Sequence, residues 1–142
     1  MSRDPNCIFC KIIEGKIPSM KLIETEKSLA FVDIGPCAPG HSLIIPKYHA
    51  AKMHELPDDS LADILPVAKK VVIATGATEY NILQNNGRMA HQVLHVIPKP
   101  SQEQGLVVGW PSTKPSKEEL QKVCTFTSHI QVYEKLLSQI PK

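Results

Sequence analysis

Two histidines, His91 and His95, stand four residues apart in a run of apolar residues. In a β-strand, residues two apart lie on one face of the sheet, so both imidazoles would share a face with Val93 between them. Imidazoles on one wall of a pocket can bind phosphate oxygens, transfer protons or attack phosphorus. Two histidines at this spacing are also common as structural residues, so the choice depends on the rest of the chain.

Apolar residues at alternating or helical spacing predict the elements that position these histidines. Helical spacing covers Asp58–Gly76, where acidic residues open the helix, Gly76 closes it and Pro66 predicts a kink. A short helix carries Ile12 and Ile13 near the N-terminus. Strand patterns follow the order Lys21–Glu24, Ser28–Ile34, His41–Pro46, Tyr80–Asn85 and Val93–Ile97. Together they predict a meander of antiparallel strands with one long helix.

Beyond Ser101 the sequence becomes polar and forms a separate C-terminal segment. Ser116–Glu119 is a capping-box sequence that opens a helix through Val123. Thr125–Ser128 interrupts this helix, and the apolar residues of 130–140 again have amphipathic spacing. We therefore assign residues 1–112 to the folded domain and 113–142 to a helical tail. The sequence leaves three origins or roles open for this tail: packing on the domain, an interface, or an altered reading of the gene.

The charge balance excludes two classes of partner. The 142 residues include 16 basic and 14 acidic side chains with a net charge of +2, so we expect neither nucleic acid nor anionic membrane as partner. The N-terminus, Met1–Asn6, is polar, and no apolar run reaches the length of a membrane span. We expect a soluble cytoplasmic protein, with the nucleus as a second compartment, and free thiols rather than disulfides.

Several short blocks accompany the histidines in a fixed order. They are Cys7–Ile13, Ala30–Ile34, His41–His49, Asn85–Gly87, Pro98–Pro100 and Gly109–Pro111. In this order they resemble the histidine triad (HIT) superfamily, specifically the branch of histidine triad nucleotide-binding proteins that hydrolyse purine nucleoside phosphoramidates. The resemblance implies an α+β HIT fold with an antiparallel sheet, a homodimer, and a purine nucleoside monophosphate or phosphoramidate as ligand.

The family's three alternating histidines are incomplete in this chain. Without a gap, His91 takes the first position, Val93 the middle position and His95 the third. With a gap, Ala90–Gln92 is the loop ahead of the triad, and about five residues carrying the first two histidines are missing. We prefer the gapped alignment, and the middle histidine is absent in both. In the family this histidine attacks the α-phosphorus and forms a nucleotidyl-histidine, so we expect impaired activity.

The resemblance assigns six residues to the nucleotide pocket: Phe31, Asp33, Ile34, Asn85, Gln92 and His95. Asp33 would take both ribose hydroxyls, since a carboxylate accepts two hydrogen bonds. The two apolar residues would enclose the base, with core packing as their alternative role, and the two amides would bind the phosphate side. His95 would contact phosphate oxygens and assist the leaving group, which makes it the catalytic candidate.

Cys7 and Cys10 form a Cys-x-x-Cys pair, which supplies two of the four ligands of a tetrahedral zinc site. In related HIT proteins that begin with this pair, a histidine after the Ile-Pro-Lys strand and the first triad histidine complete the set. The resemblance thus implies structural zinc at Cys7, Cys10, His49 and His91, the last only in the ungapped alignment. A redox pair and simple packing are the alternatives. The hydrolytic chemistry itself requires no cofactor.

Three functions are open on the sequence alone. The first is an impaired phosphoramidate hydrolase of the nucleotidyl-histidine type. The second is a non-catalytic nucleotide-binding or scaffold protein that uses the same pocket. The third is a product of alternative splicing or of an altered reading of the gene, which folds poorly because a central strand has lost residues.

Overall fold

An antiparallel sheet with a helix on each face forms the body of the protein. The computed structural model describes residues 3–87, 93–107, 109, 111–123 and 125. Two α-helices, Ile8–Ile13 (α1) and Asp58–Thr75 (α2), accompany a short 3₁₀ helix at Met53–Glu55. The five strands are Lys21–Glu24 (β1), Ser28–Val32 (β2), Ser42–Pro46 (β3), Tyr80–Asn85 (β4) and Val93–Pro98 (β5).

The last strand, β5, lies inside the sheet. The strand order is β1-β2-β3-β5-β4, and every pairing is antiparallel. The predicted meander therefore holds for β1 to β3, after which the chain crosses through α2 to the edge strand β4 and returns through β5. Within this register, His95 lies opposite Leu43 of β3 and Leu83 of β4. Hydrogen bonding on both sides fixes the height of His95 in the sheet.

The long helix α2 covers one face of the sheet. Asp58 and Asp59 lie in its first turn, where negative side chains interact favourably with the helix dipole. Gly76 ends the helix in the left-handed conformation, with φ 68°. Pro66 lies within the helix but does not divide it. Its missing N–H leaves the carbonyl of exposed Ala62 to water. The core on this side consists of Ala30, Ile44, Leu94 and Val96 from the sheet, Leu56, and Ile64, Val67, Ala68 and Val71 from α2.

The opposite face carries a second apolar cluster beneath α1. Its buried members are Ile12, Leu29, Phe31, Leu43, Ile45 and Val93. Each fully buried aliphatic side chain of this kind contributes roughly 1.5–3 kcal/mol to folding. Because α1 has only six residues, it covers only part of this face. The polar groups described below lie on this less covered side.

The predicted elements agree with the observed bounds to within two residues. The largest difference is at the end of β2, which stops at Val32 because Asp33 and Gly35 begin a turn. In the C-terminal segment, residues 117–123 and 125 are helical. The interruption predicted to begin at Thr125 is therefore wrong at this residue, whose hydroxyl donates to the Gln121 carbonyl at 2.9 Å. The predicted capping box is confirmed, since the Ser116 N–H donates to Glu119 Oε2 at 2.7 Å and the Glu119 N–H donates to Ser116 Oγ at 3.2 Å.

Contacts divide the chain into two units, Met1–Val108 and Gly109–Lys142. The amphipathic stretch predicted for residues 130–140 lies outside the described residues. Among the helices of the described ranges, none has the length and apolar character needed to cross a membrane.

Candidate functional site

His95 lies on the sheet face opposite α2. Alternation along β5 places Leu94 and Val96 against α2 and turns Val93 and His95 to the other side. Val93 is buried, with 2% exposure, whereas His95 is partly open. Val93 therefore stands two residues before His95 on the same face of the sheet.

A second histidine reaches His95 from the start of β3. His41 is buried, with 3% exposure, and its Nε2 lies 2.9 Å from His95 Nδ1. The backbone N–H of Cys37 donates to His41 Nδ1 at 3.1 Å, so this nitrogen carries no proton. The neutral ring then has its proton on Nε2 and donates it to His95. One backbone amide thus determines the tautomer of His41.

Asn85 meets the other side of the His95 ring. Its side-chain amide nitrogen lies 3.2 Å from His95 Nε2, at the end of β4. Because His95 Nδ1 accepts from His41, the neutral His95 ring carries its own proton on Nε2. A half-turn of the Asn85 amide, which preserves its shape, brings the oxygen to this proton as acceptor. The result is a directed series of hydrogen bonds from Cys37 through both histidines to Asn85.

Asp33 borders the two histidines. Its Oδ2 lies 3.5 Å from His41 Nε2, and its Oδ1 accepts the Gly35 N–H at 2.8 Å. The Asp33 N–H also donates to the carbonyl of His41 at 3.0 Å, which extends the β2–β3 pairing one step beyond Val32 and Ser42. Backbone pairing therefore holds this carboxylate beside His41.

Both imidazoles are kept neutral. Burial lowers the pKa of His41, and the negative charge of Asp33 only partly opposes this effect. Burial also lowers the pKa of His95, and the neighbouring His41 lowers this pKa further. The negative charge of Asp33 again opposes the lowering. At neutral pH each ring thus has one proton and one lone pair, as the hydrogen-bond directions require.

Asp33, His41 and His95 also bring three ligand atoms within 4.8 Å of one another, but they do not fit a metal ion. Metal would bind His41 through Nε2, the nitrogen that faces the other two groups. A metal-bound histidine normally donates its second ring N–H to an acceptor. In His41 the second nitrogen instead accepts from the Cys37 amide, so Nε2 keeps its proton. These three residues form a hydrogen-bonded polar group.

The other predicted pocket residues differ in exposure. Phe31 is buried, with 5% exposure, and packs in the cluster beneath α1. Ile34 is 98% exposed, just beyond Asp33, so it has a free apolar surface. Gln92 and His91 lie outside the described residues. Asn85, Asp33 and His95 are thus brought together, Phe31 supports them from the core, and Ile34 stands at the open edge.

The two N-terminal cysteines meet His49 in a second polar group. Cys10 Sγ lies 3.3 Å from His49 Nδ1, and the ligand atoms of Cys7, Cys10 and His49 all lie within 4.8 Å of one another. The group lines a cavity of about 450 Å³ between the N-terminal segment and the end of β3. Burial raises the pKa of the Cys10 thiol above its ordinary value.

The side chains of this second group fit three of the four ligand positions of a tetrahedral zinc site. Zinc holds thiolates and imidazoles at about 2.0–2.3 Å in a tetrahedron, which places neighbouring ligand atoms roughly 3.3–3.8 Å apart. The three side chains approach this spacing without rearrangement of the backbone, and His49 presents a ring nitrogen directly to Cys10. Three of four tetrahedral positions are thus provided within the described part of the chain.

The role of His41 was not predicted from the sequence. A single histidine at the head of a strand, directly after Gly40, reads as part of a turn. The available signal was its phase, since His41 shares its strand face with Leu43 and Ile45, the residues that line the cluster beneath α1. Even with that signal, its contact with His95 depends on the pairing of β3 with β5.

Comparison with known proteins agrees with the family resemblance of the sequence blocks. The HIT domain family matches residues 14–102. Adenosine 5'-monophosphoramidase of Schizosaccharomyces pombe is 61% identical over 120 positions, which cover 81% of this chain and 90% of the relative. Adenosine 5'-monophosphoramidase of Saccharomyces cerevisiae is 52% identical over 125 positions, covering 84% of this chain and 79% of the relative.

Solved structures of HIT proteins have a similar fold. The crystal structure of a histidine triad nucleotide-binding protein from Candida albicans has a TM-score of 0.77 and 47% identity, covering 94% of this chain and 99% of its own. A HIT family protein from Bacillus anthracis has a TM-score of 0.80 and 34% identity, covering 88% and 96%. Its sheet, its match across residues 14–102 and these relatives together show that the chain belongs to the HIT family.

Proposed function

We propose that this chain is a purine nucleotide-binding HIT protein of the phosphoramidate hydrolase type whose turnover is impaired. The observation that carries the proposal is Val93, which is buried beside His95 on the face where HIT enzymes of this type present a nucleophilic histidine. Valine has no lone pair with which to attack phosphorus. Binding of the nucleotide and assistance to the leaving group remain within reach of the side chains that are present.

His95 does not replace the missing nucleophile. Its Nδ1 lone pair is used to accept the His41 proton, and its Nε2 carries the proton directed at Asn85. Attack on phosphorus needs a free lone pair aimed at the substrate. With Nδ1 engaged, His95 can act only through its Nε2 proton, which would turn from Asn85 to a phosphate oxygen or to the leaving group when substrate binds. His41 acts behind it as a positioning residue.

The relatives supply independent support. The alignment with the S. pombe enzyme runs over 120 positions yet takes in only 81% of the 142 residues, so several aligned positions have no residue in this chain. The S. cerevisiae alignment, over 125 positions and 84% of the chain, has the same property. A gap of about five residues, as in the alignment preferred from the sequence, requires unmatched positions of this kind. Their names also support adenosine monophosphate and its phosphoramidates as the ligands to test.

The pocket residues fit a nucleoside monophosphate. Asp33 has one oxygen, Oδ2, that faces the histidines rather than the Gly35 turn, and a carboxylate can accept further hydrogen bonds from ribose hydroxyls. Ile34 offers an exposed apolar side chain next to it for the base. The donors of His95 and Asn85 lie at the phosphate end. We infer that the nucleotide lies across the ends of β2 and β4 on the α1 side.

A second copy of the chain is the partner we propose. Strand β4 is at the edge of the sheet and exposes Tyr80 and Ile82, with 45% and 40% exposure. Unpaired edge strands with apolar side chains are suited to pairing with another chain. Helix α2 adds Leu65 and Ile73, which are more than half exposed. These surfaces support a homodimer formed through β4.

We also propose a structural zinc site at Cys7, Cys10 and His49. Zinc would join the N-terminal segment to the end of β3, and the hydrolytic step would not involve it. His91 stays a predicted fourth ligand, since it lies outside the described residues. The site would add stability to a region where α1, with six residues, packs on a larger sheet.

One experiment tests the proposed function against its alternatives. Binding of adenosine monophosphate is measured by calorimetry, and hydrolysis of an adenosine phosphoramidate is measured at enzyme excess. We expect measurable binding with turnover at least about a thousandfold below that of an intact family member. Binding with no hydrolysis at all supports the scaffold alternative. A cooperative thermal transition in the same sample excludes a poorly folded variant.

A further inference from the structure

The ring of His49 lies between a thiol and a carboxylate. Its Nδ1 is 3.3 Å from Cys10 Sγ, and its Nε2 is 4.0 Å from Asp4 Oδ2. The two ring nitrogens therefore face two different chemical groups on opposite sides. The nitrogen that faces the cysteines is the one available to a metal, and it must be unprotonated to bind one. The proton of the neutral ring is then on Nε2, toward Asp4.

We propose that Asp4 is the outer carboxylate of this metal site and holds His49 in the tautomer that binds zinc through Nδ1. The inference rests on the proposed zinc site and deepens it. A carboxylate behind a metal-bound histidine orients the ring and raises its basicity. The 4.0 Å between His49 Nε2 and Asp4 Oδ2 is longer than a hydrogen bond, and a shift of about 1 Å or one bridging water completes the bond.

Asp4 is already anchored to the ligand loop. Its Oδ1 accepts the Asn6 N–H at 2.8 Å, and its backbone carbonyl accepts the Cys7 N–H at 3.1 Å. One turn therefore presents both the first cysteine ligand and the carboxylate, and leaves Oδ2 directed at His49. The side chain of Asp4 is held in place by the backbone bonds that form the site, so little additional ordering is needed when metal binds.

Substitution of Asp4 should affect zinc binding differently from substitution of a zinc ligand. Loss of a ligand removes a coordination bond, whereas loss of an outer carboxylate typically weakens metal binding by about 10- to 100-fold and preserves the ligand set. Asp4→Asn keeps an oxygen for the Asn6 N–H and so preserves the turn, but it removes the charge behind His49. Asp4→Ala removes both. The pair of variants separates the carboxylate from the turn.

The test is zinc affinity, measured by competition with a chromogenic chelator on the full chain, together with the ¹⁵N spectrum of the zinc-loaded histidines. We expect both Asp4→Asn and Asp4→Ala to bind zinc at least about tenfold more weakly than the parent. Glu26→Ala, which removes an exposed carboxylate from the β1–β2 turn, should match the parent. The spectrum should show His49 metal-bound at Nδ1 and protonated at Nε2. Thermal melting without metal checks that each variant folds.

The outcomes distinguish the two levels of the proposal. Parent-like affinity in Asp4→Asn, or coordination of His49 through Nε2, overturns the role of Asp4 and leaves the zinc site standing. If the parent binds no zinc, or if Cys10→Ser binds as tightly as the parent, the zinc site fails and the role of Asp4 fails with it. Weakened binding with the Nδ1 pattern intact supports both.

Discussion

His41 donates its Nε2 proton to Nδ1 of His95 across 2.9 Å, although 54 positions separate the two residues in the chain. The direction of this bond is fixed by a third group, the backbone N–H of Cys37, which occupies His41 Nδ1. The bond therefore commits the His95 ring to a donor role at Nε2. In the function proposed here, this direction leaves the His95 ring a proton rather than a lone pair to offer to a phosphate.

The two histidines should make the protein less stable in mild acid. Burial holds the pKa of His41 and of His95 below the ordinary value of 6.5, and Asp33, the acidic group that faces them, only partly compensates. Below pH 6.5 the unfolded chain therefore binds more protons than the folded chain, so stability falls with falling pH. Above pH 6.5 this contribution is complete and does not change. Urea unfolding at several pH values, with chelator present, measures the effect.

A matched pair of variants assigns this pH dependence. His41→Gln removes one titrating ring and keeps a donor toward His95, so the slope of stability below pH 6.5 should become smaller. His54→Gln changes an exposed histidine and should leave the slope as in the parent. An unchanged slope in His41→Gln would contradict the neutral, buried state assigned to this ring.

The binding of adenosine monophosphate should depend on Asp33. We expect Asp33→Ala to weaken binding by roughly 1–3 kcal/mol, the cost of leaving ribose hydroxyl bonds unmade. Asp33→Asn keeps an oxygen for the Gly35 N–H and should retain the turn while still losing affinity. Calorimetry at one pH compares the three proteins. Equal affinity in the parent and Asp33→Ala would discard the assignment of the ribose site.

Two buried serines should respond in opposite ways to the same substitution. Ser28 Oγ is buried with no hydrogen-bond partner among the described residues, whereas Ser42 Oγ donates to the Gly40 carbonyl at 2.9 Å. Ser28→Ala should raise the free energy of unfolding by about 1 kcal/mol and Ser42→Ala should lower it by a similar amount. Denaturant unfolding of both variants and the parent measures these changes in the free energy of unfolding. A larger loss in Ser28→Ala than in Ser42→Ala would refute this reading of the core.

A charge on the edge strand should separate the proposed dimer. Ile82→Lys places a lysine on exposed β4, and charged residues on an edge strand oppose pairing. We expect a shift toward monomer in sedimentation velocity at micromolar concentration. Met20→Lys, which changes another exposed apolar residue away from β4, is the control. If both variants sediment as the parent does, β4 is not the interface.

The regular elements were predictable because their signals are local. Apolar spacing and acidic residues at the start define α2, and alternation defines β4. The position of β5 between β3 and β4 was not predictable in this way, because an alternating pattern says which face a residue takes but not which strand lies next to it. The fold itself followed from the resemblance of the ordered blocks, and the HIT match confirms it.

The candidate site was only partly predictable for the same reason. Asp33, Asn85 and His95 came from the resemblance, and the structure brings them together around His41. His41 was missed because its partner is distant in the chain. Asp4 was missed because nothing in a polar N-terminus distinguishes one carboxylate from another until the turn places it beside His49.

The central claim is that this chain has a HIT nucleotide pocket without its nucleophile. The most direct measurement is a single-turnover reaction with labelled adenosine phosphoramidate, quenched to trap any acid-labile nucleotidyl adduct. We expect no adduct in the parent and turnover at least about a thousandfold below an intact family member. Insertion of the missing alternation ahead of His95 should restore both, and Val93→His alone should do so if the chain has no gap. Robust turnover in the parent that disappears in His95→Ala would show that His95 attacks, and would contradict the claim.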